Sequence, residues 1–340
     1  MKQINIGILG TSEIAPRSFI EPSRKLEEIN VFGIASREKN KAKLYAEKHS
    51  IPNYFSSYDE LLQCNEIDAV YIPLISSLHA EYTIKAIVAK KNVLVEKPIC
   101  FTSQDIADIE SALRGSDIFV LEGLMSQHHP WLDKLQEIIK KKTYGDIKSI
   151  RTKACYNIDN PNDFRLFPEK GGSVFYEEGL LWSHLTQVCF GLKPSRKMGY
   201  SKFDGPYGGD NKFKCRLEYP NGCISDLFCS YSDPYEANHW IEFEEAILSI
   251  RNFWRPTFGF VRMKFDIEIK GTCEKEKVSF EPQNYYYNQL QYFLNAIKNK
   301  NNNTFLFESF ERIKLMEVIF ENAKKSLANT AQQTDFIDKF

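Results

Sequence analysis

An apolar run with an abrupt end, residues 92–98, constrains the fold of this chain most strongly. Its central residues are apolar and two of them are β-branched, which suits a strand that is buried on both faces of a parallel sheet. Pro98 has no N–H for a sheet and favours extended geometry before it, so the strand must end at Lys97. Because parallel α/β sheets bind ligands beyond the carboxyl ends of their strands, Glu96 and Lys97 are predicted at a ligand site. On this segment alone, a lysine that merely ends the strand is an equally good interpretation.

A first buried strand is predicted at residues 4–9, and it leads into a turn that contains small residues. Gly10 would supply the tight turn and Ala15 the close helix–strand contact of a dinucleotide-binding unit, with Ser12 where a glycine is usual. The pattern is weak alone, but its place at the first strand of an alternating β/α sequence favours binding of phosphates at the following helix. The predicted cofactor contacts in this turn are Gly10, Thr11, Ser12, Glu13 and Ile14.

The end of the next predicted strand, residues 31–36, bears on the choice of cofactor. An acidic residue there would bind the ribose 2′-hydroxyl of NAD, whereas Ser36 and Arg37 offer a hydroxyl and a guanidinium to a 2′-phosphate. We therefore predict a preference for NADP(H) over NAD(H). In the alternative interpretation, Arg37 is a solvated residue at the start of the charged helix 38–48.

A further buried strand, residues 67–72, is followed by a polar loop and a predicted helix at 80–90. Two interpretations of His79 are equally good: it lies near the nicotinamide end of the cofactor, or it caps the helix. The predicted cofactor contacts from this loop and beyond it are Pro73, Leu74, Ser76, His79, Glu96, Lys97 and Gln127.

Composition excludes several classes of function. A net charge of −1 gives no electrostatic reason to expect nucleic acid or an anionic membrane as a partner. The eight cysteines form no C-x-x-C pair and no spacing typical of a metal site, which favours reduced, mostly buried thiols. No apolar stretch approaches membrane-spanning length, and the N-terminal run is too short for a secretory signal. We expect a cytoplasmic protein without a bound metal.

The pattern changes near residue 122: helical spacing follows first, and from residue 146 the chain is rich in predicted strands. Residues 212–219 alternate strictly between apolar and charged, and a Pro-Asn-Gly turn then leads into an apolar run at 223–231. This is typical of an antiparallel hairpin with one buried face and one polar face. The predicted fold is α/β, with an N-terminal Rossmann dinucleotide-binding domain at 1–122. An α+β domain with a largely antiparallel open sheet follows at 123–340.

Several motifs stand in the order and spacing of a known family. They are Gly7-x-x-Gly10 with Ala15, Ser36-Arg37, Asp68-Ala-Val-Tyr-Ile, Leu78-His79-Ala-Glu, Val95-Glu-Lys-Pro98, residues 121–130, Phe164-Arg165 and Gly171-Gly172. Together they resemble the Gfo/Idh/MocA family of NAD(P)-dependent oxidoreductases. The resemblance implies hydride exchange at a carbon that bears a hydroxyl or carbonyl, usually on a sugar, cyclitol or sugar nucleotide. It also implies a homodimer or homotetramer formed through the C-terminal sheet.

The resemblance implies roles for individual residues and exposes one departure. Lys97 corresponds to the family lysine that positions or polarises the reacting oxygen. The family's second catalytic group comes from a helix after the Gly-Gly turn, where this chain has Glu177 for an Asp, Leu181 for a His or Tyr, and His184 for an Asp. Leu181 cannot transfer a proton, but His184 shares its helical face. The candidate catalytic residues are therefore Lys97 and His184.

Other candidate substrate contacts are His128, Arg165 and Glu177, alongside Lys97 and His184. For the histidines and Arg165, structural roles (packing, helix capping, a surface ion pair) are the alternatives. Two functions remain open: an NADP(H)-dependent oxidoreductase, or a protein of this fold that retains the cofactor without turnover and acts as a sensor or partner. Intact Lys97 and His184 favour the first, and Leu181 favours the second.

Overall fold

A computed structural model describes residues 3–327, and within this range the chain forms two compact units. The first comprises the residues up to 128 together with 284–310, and the second comprises 129–283 and the residues from 311 onward. The domains predicted from the sequence, 1–122 and 123–340, differ at two places. The first unit extends six residues further, and the segment 284–310 returns to it from the second half of the chain.

The first unit contains a six-stranded parallel sheet. Its strands are β1 (Ile4–Leu9), β2 (Ile29–Ala35), β3 (Asn53–Phe55), β4 (Ala69–Ile72), β5 (Asn92–Glu96) and β6 (Val120–Gly123). The strand order β3-β2-β1-β4-β5-β6 is that of a dinucleotide-binding sheet, with its topological switch point between β1 and β4. Almost every residue of β1, β4 and β5 is buried, as expected for central parallel strands. The Rossmann prediction is confirmed.

Short helices connect these strands. They are α1 (Glu21–Ser23, after a π-helical turn at Pro16–Ile20), α2 (Lys39–His49), α3 (Tyr58–Gln63), α4 (His79–Val88) and α5 (Ser103–Leu113). Side-chain caps fix where two of them begin: the Ser57 hydroxyl accepts from Glu60 N before α3, and Thr102 and Asp105 form a capping box at α5. Each connection carries the chain back across the sheet, so the carboxyl ends of the strands share one edge.

The second unit contains an eight-stranded sheet. Its strands are β7 (Ile147–Cys155), β8 (Arg196–Tyr200), β9 (Lys212–Glu218), β10 (Ile224–Ser230), β11 (Glu236–Phe243), β12 (Ala246–Arg251), β13 (Lys264–Ile269) and β14 (Lys275–Ser279). Their order is β14-β13-β12-β11-β7-β10-β9-β8, and all neighbours are antiparallel except β7 and β10. One face is buried and the other carries polar residues, because buried and less buried positions alternate along β9 and β11. The predicted largely antiparallel sheet is confirmed.

Helices complete both units. They are α6 (Trp131–Lys141), α7 (Val174–Phe190), α8 (Tyr285–Asn299) and α9 (Thr304–Leu327). Helix α8 belongs to the first unit because its apolar residues, Leu290, Phe293 and Leu294 among them, join the core around β1. This long-range packing explains why a boundary drawn along the sequence missed the return of 284–310. Within residues 3–327, no helix combines the length and apolar character that a membrane span requires.

Candidate functional site

The turn after β1 depends on a glycine. Gly10 has a φ of +99°, and a Cβ placed on it would lie 2.8 Å from Leu74 Cδ2. Any side chain would therefore meet both backbone strain and a steric clash. The cradle kept open by Gly10 and the loop that carries Leu74 is the kind of space that a dinucleotide backbone occupies.

The serine at the usual glycine position is held by its neighbours. Tyr45 Oη donates to the Ser12 carbonyl at 2.8 Å, and Ser12 Oγ accepts from Ile14 N at 3.3 Å. Thr11 and Ile14 are half-buried and Glu13 is exposed. The side chain of Ser12 thus stabilises the turn, while the backbone of residues 11–14 remains the part that a phosphate could approach.

Arg37 lies at the carboxyl end of β2, close to the glycine turn. Its side chain is exposed and hydrogen-bonds with the hydroxyl of Tyr58. That hydroxyl is 3.8 Å from the position a Cβ would take on Gly10, which links the two regions. Ser36 is buried, and its Oγ accepts from Glu38 N at 3.3 Å. The structure therefore brings the predicted guanidinium beside the turn and adds Tyr58, which the sequence did not indicate.

The backbone that follows Lys97 is held by contacts with neighbouring residues. The Pro98 carbonyl lies 2.7 Å from His79 Nδ1, and the Lys97–Pro98 peptide is cis. Ile99 N donates to Glu122 Oε1 at 3.0 Å, and the other oxygen of this buried carboxylate accepts from Ser309 Oγ at 2.7 Å. Lys97 itself is half-buried. A flexible side chain is thus presented from a backbone that its neighbours hold in place.

His79 connects two loops at this edge of the sheet. Its ring is buried, with Nε2 2.9 Å from the Leu74 carbonyl and Nδ1 bonded to Pro98. Pro73 and Ser76 in the same loop are also buried. His79 is the first residue of α4, but its side chain does not cap that helix. Its direct contact with a cofactor stays a prediction, whereas its role in positioning the 97–98 backbone is a feature of the structure.

Glu96 is tied to the glycine turn by a chain of polar contacts. Tyr71 Oη donates to Glu96 Oε1 at 2.6 Å, and Ser18 Oγ lies 2.7 Å from Tyr71 Oη. Ser18 Oγ is also 2.9 Å from the Ile14 carbonyl that it can donate to. Burial, followed by the nearby carboxylate of Glu96, raises the pKa of Tyr71 well above its ordinary value. This network joins the ends of β1, β4 and β5.

The histidine pair after β6 has structural partners. The His128 ring packs 4.9 Å from the ring of Tyr292, and burial lowers its pKa to about 3. His129 Nδ1 accepts from Trp131 N at 3.1 Å at the start of α6, and burial lowers its pKa to about 4. Gln127 is half-buried, with Nε2 3.2 Å from His128 Nε2. The contact of Gln127 with cofactor and that of His128 with substrate stay predictions. The ring packing of His128 does not favour its contact with substrate.

In the second unit, the Gly-Gly turn positions the start of α7. A Cβ on Gly172 would lie 2.6 Å from the Phe164 carbonyl oxygen and would also overlap the carbonyl of Arg165, so only glycine fits. Ser173 caps the helix by accepting from Tyr176 N at 3.2 Å. Asp210 Oδ2 then accepts from both Ser173 Oγ (2.8 Å) and Phe175 N (3.0 Å), while burial raises the pKa of Asp210 to about 7. The motif thus fixes the 164–165 segment against the first turn of α7.

Two predicted substrate residues lie in one electrostatic cluster at this place. Arg165 pairs with Asp163 at 2.9 Å and interacts electrostatically with Glu177, which is buried in the first turn of α7. The sequence analysis missed Tyr156 and Glu178: Tyr156 Oη donates to Glu178 Oε1 at 3.1 Å.

The signal for Tyr156 was its place immediately after β7. Its ring lies 5.3 Å from that of Tyr231, which immediately follows β10. Strands β7 and β10 are parallel neighbours, so residues that follow them meet at one edge of the sheet.

Position 181 is the point of departure on α7. Leu181 and His184 are both buried. At about 100° per residue, Glu177, Leu181 and His184 share one side of the helix. Trp182 and Thr186 lie on the opposite side, where both bond Ser225 Oγ on β10 (2.8 and 2.7 Å). The side that carries the candidate imidazole is therefore the one turned away from the sheet of its own unit.

Among the described residues, no three His, Cys, Asp or Glu side chains come together as a metal site. All eight cysteines are free thiols, and five of them are buried. The first unit contains a nucleotide cradle with a lysine at its edge. The second contains an acidic residue and an imidazole on α7, with an arginine in the segment before that helix. These are the components of a pyridine-nucleotide oxidoreductase.

Comparison with known proteins identifies the class. The model of the oxidoreductase family with an NAD-binding Rossmann fold (Gfo/Idh/MocA) matches residues 4–123, and that of the C-terminal domain of the same family matches 132–248. The chain belongs to the Gfo/Idh/MocA oxidoreductase family, as the sequence motifs predicted.

Individual relatives cover most of the chain. D-xylose 1-dehydrogenase (NADP(+)) 2 of Haloferax volcanii is 24% identical over 95% of this chain and 98% of its own length. The dTDP-3,4-didehydro-2,6-dideoxy-alpha-D-glucose 3-reductase of Saccharopolyspora spinosa is 27% identical over 83% of this chain and 84% of its own. Among solved structures, the 3-ketoreductase KijD10 of Actinomadura kijaniata, in complex with NADP and TDP-benzene, matches with a TM-score of 0.86 at 20% identity, covering 94% and 98% of the chains.

Proposed function

We propose that this oxidoreductase uses NADP(H) in preference to NAD(H) to transfer a hydride to or from a carbonyl or hydroxyl carbon of a sugar, sugar nucleotide or cyclitol. One observation carries the proposal: a lysine held at the carboxyl end of β5, tied through Glu96, Tyr71 and Ser18 to a turn with a dinucleotide cradle. The names of two relatives support the substrate class and one of them supports NADP(H).

The residues of the first unit fit the cofactor. The space that a Cβ on Gly10 would fill and the backbone of residues 11–14 suit the pyrophosphate, and Arg37 suits a 2′-phosphate. When bound, the nicotinamide supplies or accepts the hydride. Ser36, Pro73, Leu74, Ser76 and His79 would shape the rest of this site.

Lys97 would act on the reacting oxygen. An ammonium group near a carbonyl stabilises the negative charge that develops on oxygen as the carbon accepts a hydride. The backbone contacts at Pro98 and Ile99 hold the base of this side chain in place before the reaction.

His184 would exchange the proton of the substrate hydroxyl, because Leu181 cannot. The shift from 181 to 184 moves the proton-transfer group by about one turn, roughly 5 Å along the helix axis. Glu177, one turn before Leu181 on the same side, would orient the substrate or the imidazole. Arg165 would bind an anionic or hydroxylated part of the substrate.

A panel of ketosugars, nucleotide-linked ketosugars and cyclitol ketones tests this function by oxidation of NADPH at 340 nm. We expect turnover with at least one sugar-like carbonyl compound, and its loss in Lys97→Met. Turnover with NADH alone would contradict the cofactor preference. NADP(H) binding without turnover of any panel member would instead favour the second candidate, a cofactor-binding sensor or partner protein, which the leucine at position 181 supports.

Two further properties belong to the same proposal. We expect a homodimer or homotetramer formed through the C-terminal sheet, whose polar face carries Trp240 beneath the guanidinium of Arg151 at 4.7 Å. Light scattering on wild type and Trp240→Glu would test this, and a monomeric wild type would contradict it. We also expect the protein to act in the cytoplasm.

A further inference from the structure

The second unit contains a basic cavity that the proposed chemistry does not use. It has a volume of about 450 Å³ and is formed by the loop between β12 and β13 together with the adjoining strand ends. Four of its nine lining residues, Arg251, Arg255, Arg262 and Lys264, are cationic, and only Asp266 is acidic. A volume of this size lies within the range of small-ligand sites, roughly 300–1,000 Å³.

The loop that carries these cations is structured. Asn252 N donates to Asn238 Oδ1 at 3.1 Å and Phe253 N donates to the Ala237 carbonyl at 3.0 Å, which fastens the loop to β11. Pro256 and Thr257 are buried in a single 3₁₀ turn. The arginines therefore extend from an ordered backbone, and little backbone entropy would be lost when an anion binds.

The positive charge is only partly balanced. Arg262 pairs with Glu281 at 3.2 Å on the exposed surface, and Asp266 already has Lys277 at 3.9 Å. In the part of the chain that the structure describes, Arg255 and Lys264 form no ion pair. Cations gathered in one cavity repel each other, and a bound phosphate would remove this repulsion through charge-assisted hydrogen bonds.

An aromatic ring stands at the same cavity. Phe260 lines it, yet 89% of this residue is exposed to solvent. A large exposed aromatic side chain is unfavourable in water and is typical of binding surfaces. Arginines for phosphate beside an aromatic face for a base are the two contacts that recognise a nucleotide.

We propose that this cavity binds the nucleoside diphosphate portion of a sugar-nucleotide substrate. The inference rests on the proposed function and narrows its substrate class. The Arg255 guanidinium lies over the ring of Tyr235 (5.8 Å), and the adjacent Trp254 packs against both Tyr235 (5.7 Å) and Tyr156 (5.3 Å). Within this unit, a continuous aromatic surface thus leads from the cavity to the Tyr156–Glu178 hydrogen bond near Arg165. A sugar attached to the diphosphate would extend along it.

Calorimetric titration of TDP into enzyme saturated with NADPH tests the proposal without any need for turnover. Saturation keeps TDP out of the cofactor site. We expect TDP to bind the wild type and to bind Arg251→Gln/Arg255→Gln at least about tenfold more weakly. The matched control is Arg196→Gln, which removes an exposed arginine elsewhere in the same unit and should leave TDP affinity unchanged. Absence of TDP binding, or equal affinity in the double variant, would overturn the proposal.

Pyrophosphate and thymidine separate the two parts of the ligand. We expect pyrophosphate to bind more weakly than TDP, thymidine to bind undetectably, and Phe260→Ala to weaken TDP but not pyrophosphate. Phe260→Tyr should retain TDP affinity because the aromatic face is kept. Equal affinities for pyrophosphate and TDP, unaffected by Phe260→Ala, would overturn the nucleotide assignment. If the protein binds TDP but reduces no carbonyl compound, the proposed hydride transfer fails and the nucleotide site stands. Failure of the nucleotide site can therefore be told apart from failure of the proposed function.

Discussion

The end of strand β5 in the first unit and the first turns of helix α7 in the second differ in how much of the family pattern they keep. At β5 the Glu-Lys-Pro sequence is intact, and the bonds of His79 and Glu122 hold its backbone. At α7 the supporting features are present: the close approach at Gly172 and the caps on the first turn. The position where the family has its proton-transfer residue, however, is occupied by Leu181. The end of β5 keeps the residues of the family pattern, whereas the start of α7 keeps the supporting features and differs at the position expected to transfer a proton.

This contrast has a physical basis. A carbonyl or hydroxyl oxygen is present at the reacting carbon of every substrate in the proposed class, so Lys97 would meet the same group whatever the rest of the substrate is. A helix side that faces varied substrates can exchange a group for another one turn away, because i and i+3 positions share a side.

Loss of the imidazole should have the largest effect. If His184 transfers the substrate proton, His184→Ala should reduce turnover by about 10²–10⁴-fold without changing NADPH affinity. The matched control is Leu185→Ala, which removes an equally buried side chain from the same helix but no proton-transfer group. An equal loss of turnover in both variants, measured at equal folded fraction, would mean that His184 only packs.

Removal of the Lys97 ammonium should be next in size. Lys97→Met should reduce turnover by about 10²-fold and leave the dissociation constant of NADPH nearly unchanged, because the charge acts on the oxygen in the transition state. Lys90→Met, an exposed lysine of the same unit, is the control. Full turnover in Lys97→Met would make Lys97 a residue that merely ends a strand.

A smaller effect is expected for cofactor choice. Arg37→Asp should reverse the order of affinities for NADP(H) and NAD(H), a change on the order of 1–3 kcal/mol, because a charge-assisted contact becomes a repulsion. Fluorescence titration of both cofactors measures it, with Lys43→Asp on α2 as control. Equal affinities in the wild type would contradict the role of Arg37.

Acid stability extends the comparison to the scaffold of the second unit. Burial lowers the pKa of His239 to about 3, while its Nδ1 lies 2.8 Å from Thr152 Oγ1. A histidine in the unfolded chain has a pKa near 6.5, so the unfolded chain binds more protons than the folded chain between about pH 6.5 and 3. The contribution of neutral His239 to the free energy of unfolding is therefore complete above pH 6.5 and is lost as the pH falls.

Between pH 7 and 4 we therefore expect the free energy of unfolding to fall by about 2–3 kcal/mol less in His239→Gln than in the wild type, at 1.36 kcal/mol per pH unit. Urea unfolding at both pH values would measure this difference. If the free energy of unfolding fell equally in both proteins between pH 7 and 4, burial would not lower the pKa of His239 in the folded state.

Sequence patterns were sufficient for the parts that depend on local chemistry. Gly10, the end of β5 close before Pro98 and the exchange at 181 were all visible, because each follows from a residue type at a fixed spacing. The strand was predicted to end at Lys97 and ends one residue earlier, at Glu96. Tyr58, Tyr45, Glu122 and Asp210 were missed, since each acts through a partner more than twenty residues away. The packing of helix α8 in the first unit was missed for the same reason.

The central claim is that His184 replaces the lost acid–base group at position 181. The most direct measurement is the pH dependence of turnover in wild type and His184→Gln with the same substrate and saturating NADPH. We predict a titration near neutral pH in the wild type, typical of an imidazole, and its disappearance in the variant. A neutral titration that persists unchanged in His184→Gln would contradict the account.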